Sequence, residues 1–340
     1  MKERNQTIDV FKYIAALMIV AIHTADGITT ETDFGFFFIN IFCRMAIPFF
    51  AVCSGYFLSM KWENERKSFN KRFALNQFDF AVLKQFKKLI ILYSVCTIAY
   101  LVYSIPFWIS SGWFSGHAFL DFAVGAVKVG SHYHLWYLLS LLYAFPIFWA
   151  CLTFLKKEWI FPTSVLLWIV KVLSYGYNLF LPDKVKNALL LMDKFPALFN
   201  AVFCILPFLL LGTYIRMKIN KGRLFKILGF AISFSALCVE AFFLKRNGQF
   251  SVSFIFFTFP TAYFLMQLVL EIHFIKFKKL SGILGRVSLI VYCIHPMIVE
   301  IIENVLMYSI VRFIIVAVLS TVIGFGLVFI KDKIGVKNYV

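Results

Sequence analysis

The stretch IDVFKYIAALMIVAIHTAD, running from Ile8 to Asp26, decides how this chain is read. It is apolar over about twenty residues, the length at which an α-helix crosses a bilayer core of about 30 Å. Lys12 and His23 are eleven residues apart, which places them within roughly 20° on one helical face and about 16 Å apart along the axis. Asp9, three residues before Lys12, falls on that face too. Titratable groups are costly at membrane depth, so the stripe of Asp9, Lys12 and His23 is expected to face protein or a polar cavity, not lipid. No small-residue cleavage pattern follows it, so it is expected to stay in the protein and is not read as a cleaved signal peptide.

The rest of the chain agrees with that first span. Of 340 residues, 61% are hydrophobic, 19% aromatic and 15% charged, against about 25% charged in soluble domains. The expected fold is all-α, a polytopic integral membrane protein. Ten apolar windows are expected to cross: roughly 8–26, 36–60, 86–109, 134–154, 159–178, 197–216, 226–243, 250–270, 284–304 and 309–330. The whole of 1–340 is read as one transmembrane domain, with a basic loop at 61–85. The sequence KWENERKSFNKRF within that loop mixes charges as a solvated or interfacial helix does.

The net charge of +17 is distributed in short clusters between apolar windows. No continuous basic face or motif points to nucleic acid. Alternate connecting segments collect 24 of the 34 Lys and Arg residues, and the opposite set holds six. By the positive-inside rule both termini are expected in the cytoplasm. The seven cysteines are scattered singly through the windows, with neither disulfide nor metal-ligand spacing. No metal is expected, because no two histidines share one helix at close spacing.

Polar residues inside apolar windows are the candidate functional set, since each must offset its own desolvation. They are Asp9, Lys12, His23, Arg44, His134, Glu240 and His295, joined by Tyr56 and Trp136. In the expected topology His23, Arg44, His134 and Glu240 lie toward the outer side. Plainer readings exist for each. Arg44 holds a helix end or neutralises Glu240; Lys12 pairs with Asp9 or snorkels; His23 and His295 bond backbone carbonyls; His134 and Trp136 belong to an aromatic belt. His132 and His117 are read as loop residues, and His273 with Glu271 as interfacial.

Several blocks occur in order along the chain. They are Lys12 followed ten residues later by His23, Arg44-Met-Ala-Ile-Pro48-Phe-Phe, Ser54-Gly55-Tyr56, His134-Leu-Trp136-Tyr137-Leu and Tyr292-Cys-Ile-His295-Pro296. The ordered set resembles bacterial membrane acyltransferase family three. Within it the chain is most similar to the N-terminal membrane domain of vancomycin-resistance serine racemases. The resemblance implies a ten-helix bundle that moves an acyl group, commonly acetyl from cytoplasmic acetyl-CoA, to a hydroxyl of an extracytoplasmic glycan or other cell-envelope acceptor. The family's usual arginine is Lys12 here, which keeps the charge without the bidentate fork.

Acyl transfer to a hydroxyl needs a base, for which His23 is the candidate. It also needs positive charge at the developing oxyanion or the donor's phosphates, for which Arg44 and Lys12 with Asp9 are candidates. Tyr56, His134, Trp136, Glu240 and His295 are candidates for orienting the acceptor or lining its path. No permanently bound cofactor is expected; acetyl-CoA or another acyl-CoA is the expected cosubstrate. The expected partners are membrane lipids, the acyl donor and a cell-envelope acceptor. The rival reading is a transport module for L-serine serving a cytoplasmic C-terminal racemase domain that is not in this chain. There Arg44 takes the carboxylate, Glu240 the amine, and His23 or His295 couples transport.

Overall fold

The computed structural model describes residues 6–25, 32–68, 74–192, 194–218, 222–249, 252–272, 278–303 and 309–334. Every regular element among the described residues is helical. The long helices are α1 (Gln6–Thr24), α2 (Ala46–Ser68), α3 (Ala74–Ser110), α4 (Gly116–Lys128), α5 (Trp136–Phe154), α6 (Lys157–Tyr175), α7 (Asp183–Met192), α8 (Leu206–Met217), α9 (Arg223–Arg246), α10 (Thr258–Glu271), α11 (Lys278–Glu303) and α12 (Ser309–Ile334). A π-helical run, Phe36–Phe42, and a 3-10 turn, Cys43–Met45, lead into α2; a second π-helical run, Ala201–Ile205, leads into α8.

Eight helical stretches are long and apolar enough to cross a membrane: Gln6–Thr24, Asp33–Met60, Leu83–Ser110, Trp136–Phe154, Pro196–Met217, Arg223–Arg246, Lys279–Glu303 and Ser309–Ile334. Their outward faces carry large apolar side chains such as Val102, Val239, Ile310 and Val322, which suit lipid and would be a liability in water. The protein is a multi-pass membrane protein. The expected windows at 159–178 and 250–270 differ from these eight. Helix α6 carries Lys157, Glu158 and Lys171, and α10 has 14 residues because 252–257 is irregular. Helices α2 and α3 run into the expected basic loop as far as Ser68 and from Ala74, and 69–73 lie outside the described residues. Helix α4, Gly116–Lys128, was not among the expected elements.

The chain divides into two compact units. The first holds the chain to Cys53, residues 175–179 and Lys218 onward to Asn338; the second holds Ser54–Ser174 and Phe180–Met217.

In the first unit, paired side chains give the helix directions. Asp9 of α1 lies against Gly285 of α11, and His23 against His295, so these two helices run parallel. Helix α12 runs antiparallel to α11, with Arg286 bonded to Asp332 at one end and Glu303 near Arg312 at the other. Helix α9 is antiparallel to α10, with Lys226 paired to Glu271 and Glu240 bonded at Phe256 and Phe257. The hydroxyl of Thr7 donates to the Ile272 carbonyl, which puts the start of α1 beside the end of α10. Thus α1, α9 and α11 run one way, and α10 and α12 the other.

Small residues set how closely these helices approach. A Cβ on Gly285 would stand 2.4 Å from Asp9 Oδ1, and one on Gly324 would stand 2.9 Å from Val287 Cγ1. Close backbone approach is how helices gain packing energy in lipid, where apolar burial alone gives little. Between them, Ala16, Val20, Val287, Val291, Val299, Val316 and Val328 form the apolar core of this unit. In the second unit, Gly55 of α2 plays the same part against the backbone of Leu209, 2.0 Å from where its Cβ would be. All seven cysteines are free thiols.

Candidate functional site

The site begins with a spacing on α11. Ser281, Gly285, Ser288, Tyr292 and His295 recur every three or four residues, so they share one face, and all but the glycine are buried. Helix α1 packs on that face with Asp9 at one end and His23 at the other. Asp9 is buried, while Lys12 and His23 are half-buried. The stripe therefore faces protein. Lys12 and Asp9 both lie within electrostatic reach of Cys53, whose thiol meets the Met266 sulfur at 3.8 Å.

His23 and His295 meet with ring centroids 5.4 Å apart and planes inclined by 31°. His295 is fully buried, and its Nδ1 lies 3.0 Å from the carbonyl oxygens of both Val291 and Tyr292. The plainer reading of His295, an imidazole bonded to backbone carbonyls, therefore holds for one nitrogen of its ring. Its ring also contacts Tyr292.

Arg44 sits on the 3-10 turn that follows the π-helical run. Its Nε donates to Asn40 Oδ1 at 3.2 Å, and the Tyr175 phenol lies within electrostatic reach. Among the described residues no carboxylate pairs with it. Glu240 is bound elsewhere. Tyr177 Oη donates to its Oε1 at 2.8 Å, the Phe256 N–H donates to Oε1 at 2.8 Å and the Phe257 N–H to Oε2 at 2.9 Å. The expected neutralisation of Arg44 by Glu240 is thus replaced by two separate arrangements. The carboxylate satisfies the orphan amides at the start of α10, as an acid does at a helix N-terminus.

Tyr56, His134 and Trp136 belong to the second unit. Tyr56 lies within electrostatic reach of Arg216. His134 is buried; its Nδ1 is 3.3 Å from Nδ1 of His132, so one of the two rings donates and the other accepts. Tyr100 stacks on His132 with centroids 4.3 Å apart and meets His134 at 5.2 Å. Trp136 opens α5, edge-on to Tyr137. His132, read from sequence as a loop residue, is thus part of an aromatic cluster. The Tyr100 signal, an aromatic residue in an apolar run, did not stand out.

Sequence reasoning also passed over Asn40, Tyr177 and Lys171. Lys171 is buried within α6, where its Nζ donates to Asn200 Oδ1 at 2.8 Å and lies 4.9 Å from the Phe199 ring centroid. A lone lysine in the run LLWIVKVL was the available signal. Lys226, also buried, pairs with Glu271, while His273 lies outside the described residues. Among the described residues no group of three or more His, Cys, Asp or Glu is placed to hold a metal ion.

A family profile described as an acyltransferase domain matches residues 5–330. An amino-acid racemase of Enterococcus faecalis is 25% identical over 364 residues, covering 99% of this chain and 48% of that protein. A serine/alanine racemase of Enterococcus gallinarum is 26% identical over 363 residues, covering 97% of this chain and 46% of its own length. Another amino-acid racemase of Enterococcus faecalis is 28% identical over 229 residues, 65% of this chain and 29% of that protein. The chain therefore spans half or less of the length of these curated relatives. No solved structure matches.

Proposed function

The chain belongs to the acyltransferase-domain family, and from that premise we propose that it transfers an acyl group, commonly acetyl, from a cytoplasmic acyl-CoA to a hydroxyl of an extracytoplasmic cell-envelope acceptor. The observation that carries this reading is the imidazole of His23, held half-buried against His295 between two parallel helices. An imidazole is the side chain that general acid–base catalysis uses most often.

The acceptor hydroxyl gives its proton to His23 as its oxygen attacks the acyl carbonyl carbon. The negative charge that builds on the carbonyl oxygen is met by the terminal nitrogens of Arg44, which no carboxylate occupies among the described residues. Collapse of the tetrahedral intermediate expels the CoA thiolate, which takes up the proton from His23. The products are the acyl ester and free CoA thiol. Lys12, with Asp9 beside it on α1, serves the anionic donor. Ten crossings with both termini in the cytoplasm accommodate the parallel course of α1, α9 and α11, because α6 and α10 then each cross once.

The racemase relatives fit part of a second reading, in which this domain carries L-serine inward for a racemase, attached or separate. Arg44 suits the amino-acid carboxylate there. Glu240 suits the amine less, since three donors already fill most of the four or so acceptor positions of a carboxylate.

Proteoliposomes holding the purified chain separate the two. Labelled acetyl-CoA is supplied to one set and labelled L-serine to another, each beside His23→Ala. Faster release or protein attachment of the acyl label, lost in His23→Ala, is the expected result. Accumulation of serine without acyl turnover overturns the transferase reading in favour of transport.

A further inference from the structure

Helix α10 holds a buried amide that the fold leaves open. Gln267 is 2% exposed, and among the described residues neither its amide nitrogen nor its amide oxygen has a hydrogen-bond partner. Buried hydroxyls elsewhere in the chain meet their demand locally, by donating to a carbonyl three or four residues back, as Thr24, Thr213, Ser288 and Ser320 do. A glutamine has both an NH2 and a carbonyl to satisfy, and leaving the two unmet costs stability that an apolar side chain of the same size would not. Such a residue points to a ligand that brings an acceptor and a donor of its own.

Depth places Gln267 beside the group that serves the donor. The Thr7 hydroxyl bonds the Ile272 carbonyl, where the start of α1 meets the end of the antiparallel α10. Lys12 is five residues beyond Thr7, and Gln267 five residues before Ile272. Each is therefore about 7.5 Å from that contact along its helix, and the two stand at one level. A second contact gives the same register. The Cys53 thiol meets the sulfur of Met266, next to Gln267, at 3.8 Å and lies within electrostatic reach of Lys12 and Asp9. Around Gln267, α10 buries Ala262, Met266 and Val269. A ligand reaching this level meets an ammonium and one open amide in an otherwise apolar lining.

We propose that Gln267 is a specificity-determining residue that binds the amide-bearing arm of an acyl-CoA: its NH2 donates to a carbonyl of the arm, and its carbonyl accepts an N–H of the arm. This assignment rests on the transferase reading. An acyl-CoA has phosphates at one end, a thioester at the other and a pair of secondary amides between them. With the phosphates at Lys12 and the thioester toward His23, about 16 Å further along α1, the arm begins at the level of Gln267. An acyl donor without amides leaves Gln267 unmet, and a site built to hydrogen-bond its ligand rejects the analogue that cannot do so.

The test is equilibrium binding to the purified full chain in detergent. Three ligands are titrated separately: acetyl-CoA, L-serine, and adenosine 3′,5′-bisphosphate, which keeps a phosphorylated nucleotide and lacks the arm. Gln267→Met matches the length of the side chain and removes both polar atoms. Its acetyl-CoA affinity is expected to fall about tenfold, the loss of two ordinary neutral hydrogen bonds, with the bisphosphate affinity unchanged. Its thermal midpoint without ligand is expected to rise by about 2–4 °C, because the unmet amide is gone. Lys12→Ala is expected to weaken both nucleotides. Gln267→Leu repeats the comparison with a branched side chain, so that a packing defect in one variant does not decide the result.

An acetyl-CoA affinity unchanged in the folded Gln267 variants overturns the proposal and leaves the amide to bound water. Equal losses for acetyl-CoA and the bisphosphate overturn it too, since the amide then does not read the arm. So does a loss confined to L-serine, which gives Gln267 to the transport reading. Acetyl-CoA binding that is lost in Lys12→Ala and intact in Gln267→Met ends this assignment alone. No acetyl-CoA binding to any form ends the transferase reading and this assignment with it.

Discussion

Arg44 and Glu240 are both charges within membrane-spanning stretches, and the structure treats them in opposite ways. Glu240 accepts three hydrogen bonds, from Tyr177 and from the amides of Phe256 and Phe257. Among the described residues Arg44 is hydrogen-bonded at Nε alone, by Asn40 four residues earlier. One group has its charge met by the protein's own backbone and a phenol; the other keeps its two terminal nitrogens for something else. A buried charge whose partners are complete maintains structure. A fork whose tether restrains it without filling it is, on the proposed reading, the group that meets the anion.

The contrast can be broken by four substitutions. Arg44→Gln is expected to have the largest effect, lowering acyl turnover by about 10²–10³-fold, as for loss of an oxyanion donor, with the thermal midpoint close to that of the parent. Turnover in proteoliposomes and thermal unfolding in detergent measure the two sides; a large drop in midpoint with normal turnover would reverse the roles of the two residues. Arg44→Lys keeps the charge and loses the fork, so an intermediate loss of about tenfold is expected.

Glu240→Gln is expected to act on stability instead. The amide group turns an N–H toward a backbone N–H and leaves a buried donor unmet, which costs about 1–3 kcal/mol. The thermal midpoint should fall, with turnover per folded molecule changed by less than in either Arg44 variant. Tyr177→Phe removes one donor to the carboxylate and costs about 1 kcal/mol, the smallest change of the four. If Glu240→Gln left the midpoint unchanged and abolished turnover, the carboxylate would belong with the chemistry.

Much of this arrangement was legible beforehand, for reasons that differ by residue. The helical period placed Asp9, Lys12 and His23 on one face, and the cost of burying them pointed that face at protein. Both inferences need only spacing and composition. His295 stood out as a titratable residue beside a proline. That it meets His23 depends on the rotation of α11 about its own axis, which Gly285 permits by letting Asp9 of α1 come close. Periodicity defines a face without naming its partner. The 252–257 stretch read as helix because its residues are apolar, but the backbone there is irregular and spends two amides on Glu240.

Composition and spacing by themselves established a multi-pass helical membrane protein, its candidate polar residues and, through the ordered blocks, its family resemblance. Only the tertiary structure decided which polar groups meet: His23 with His295, Arg44 with Asn40, Glu240 with Tyr177 and two backbone amides. The physical reason is the identity of the partners. A buried carboxylate requires donors and not any particular residue, and a backbone N–H is a donor that nearly every residue supplies. The demand is written in the side chain, but what meets it emerges only when the chain has folded.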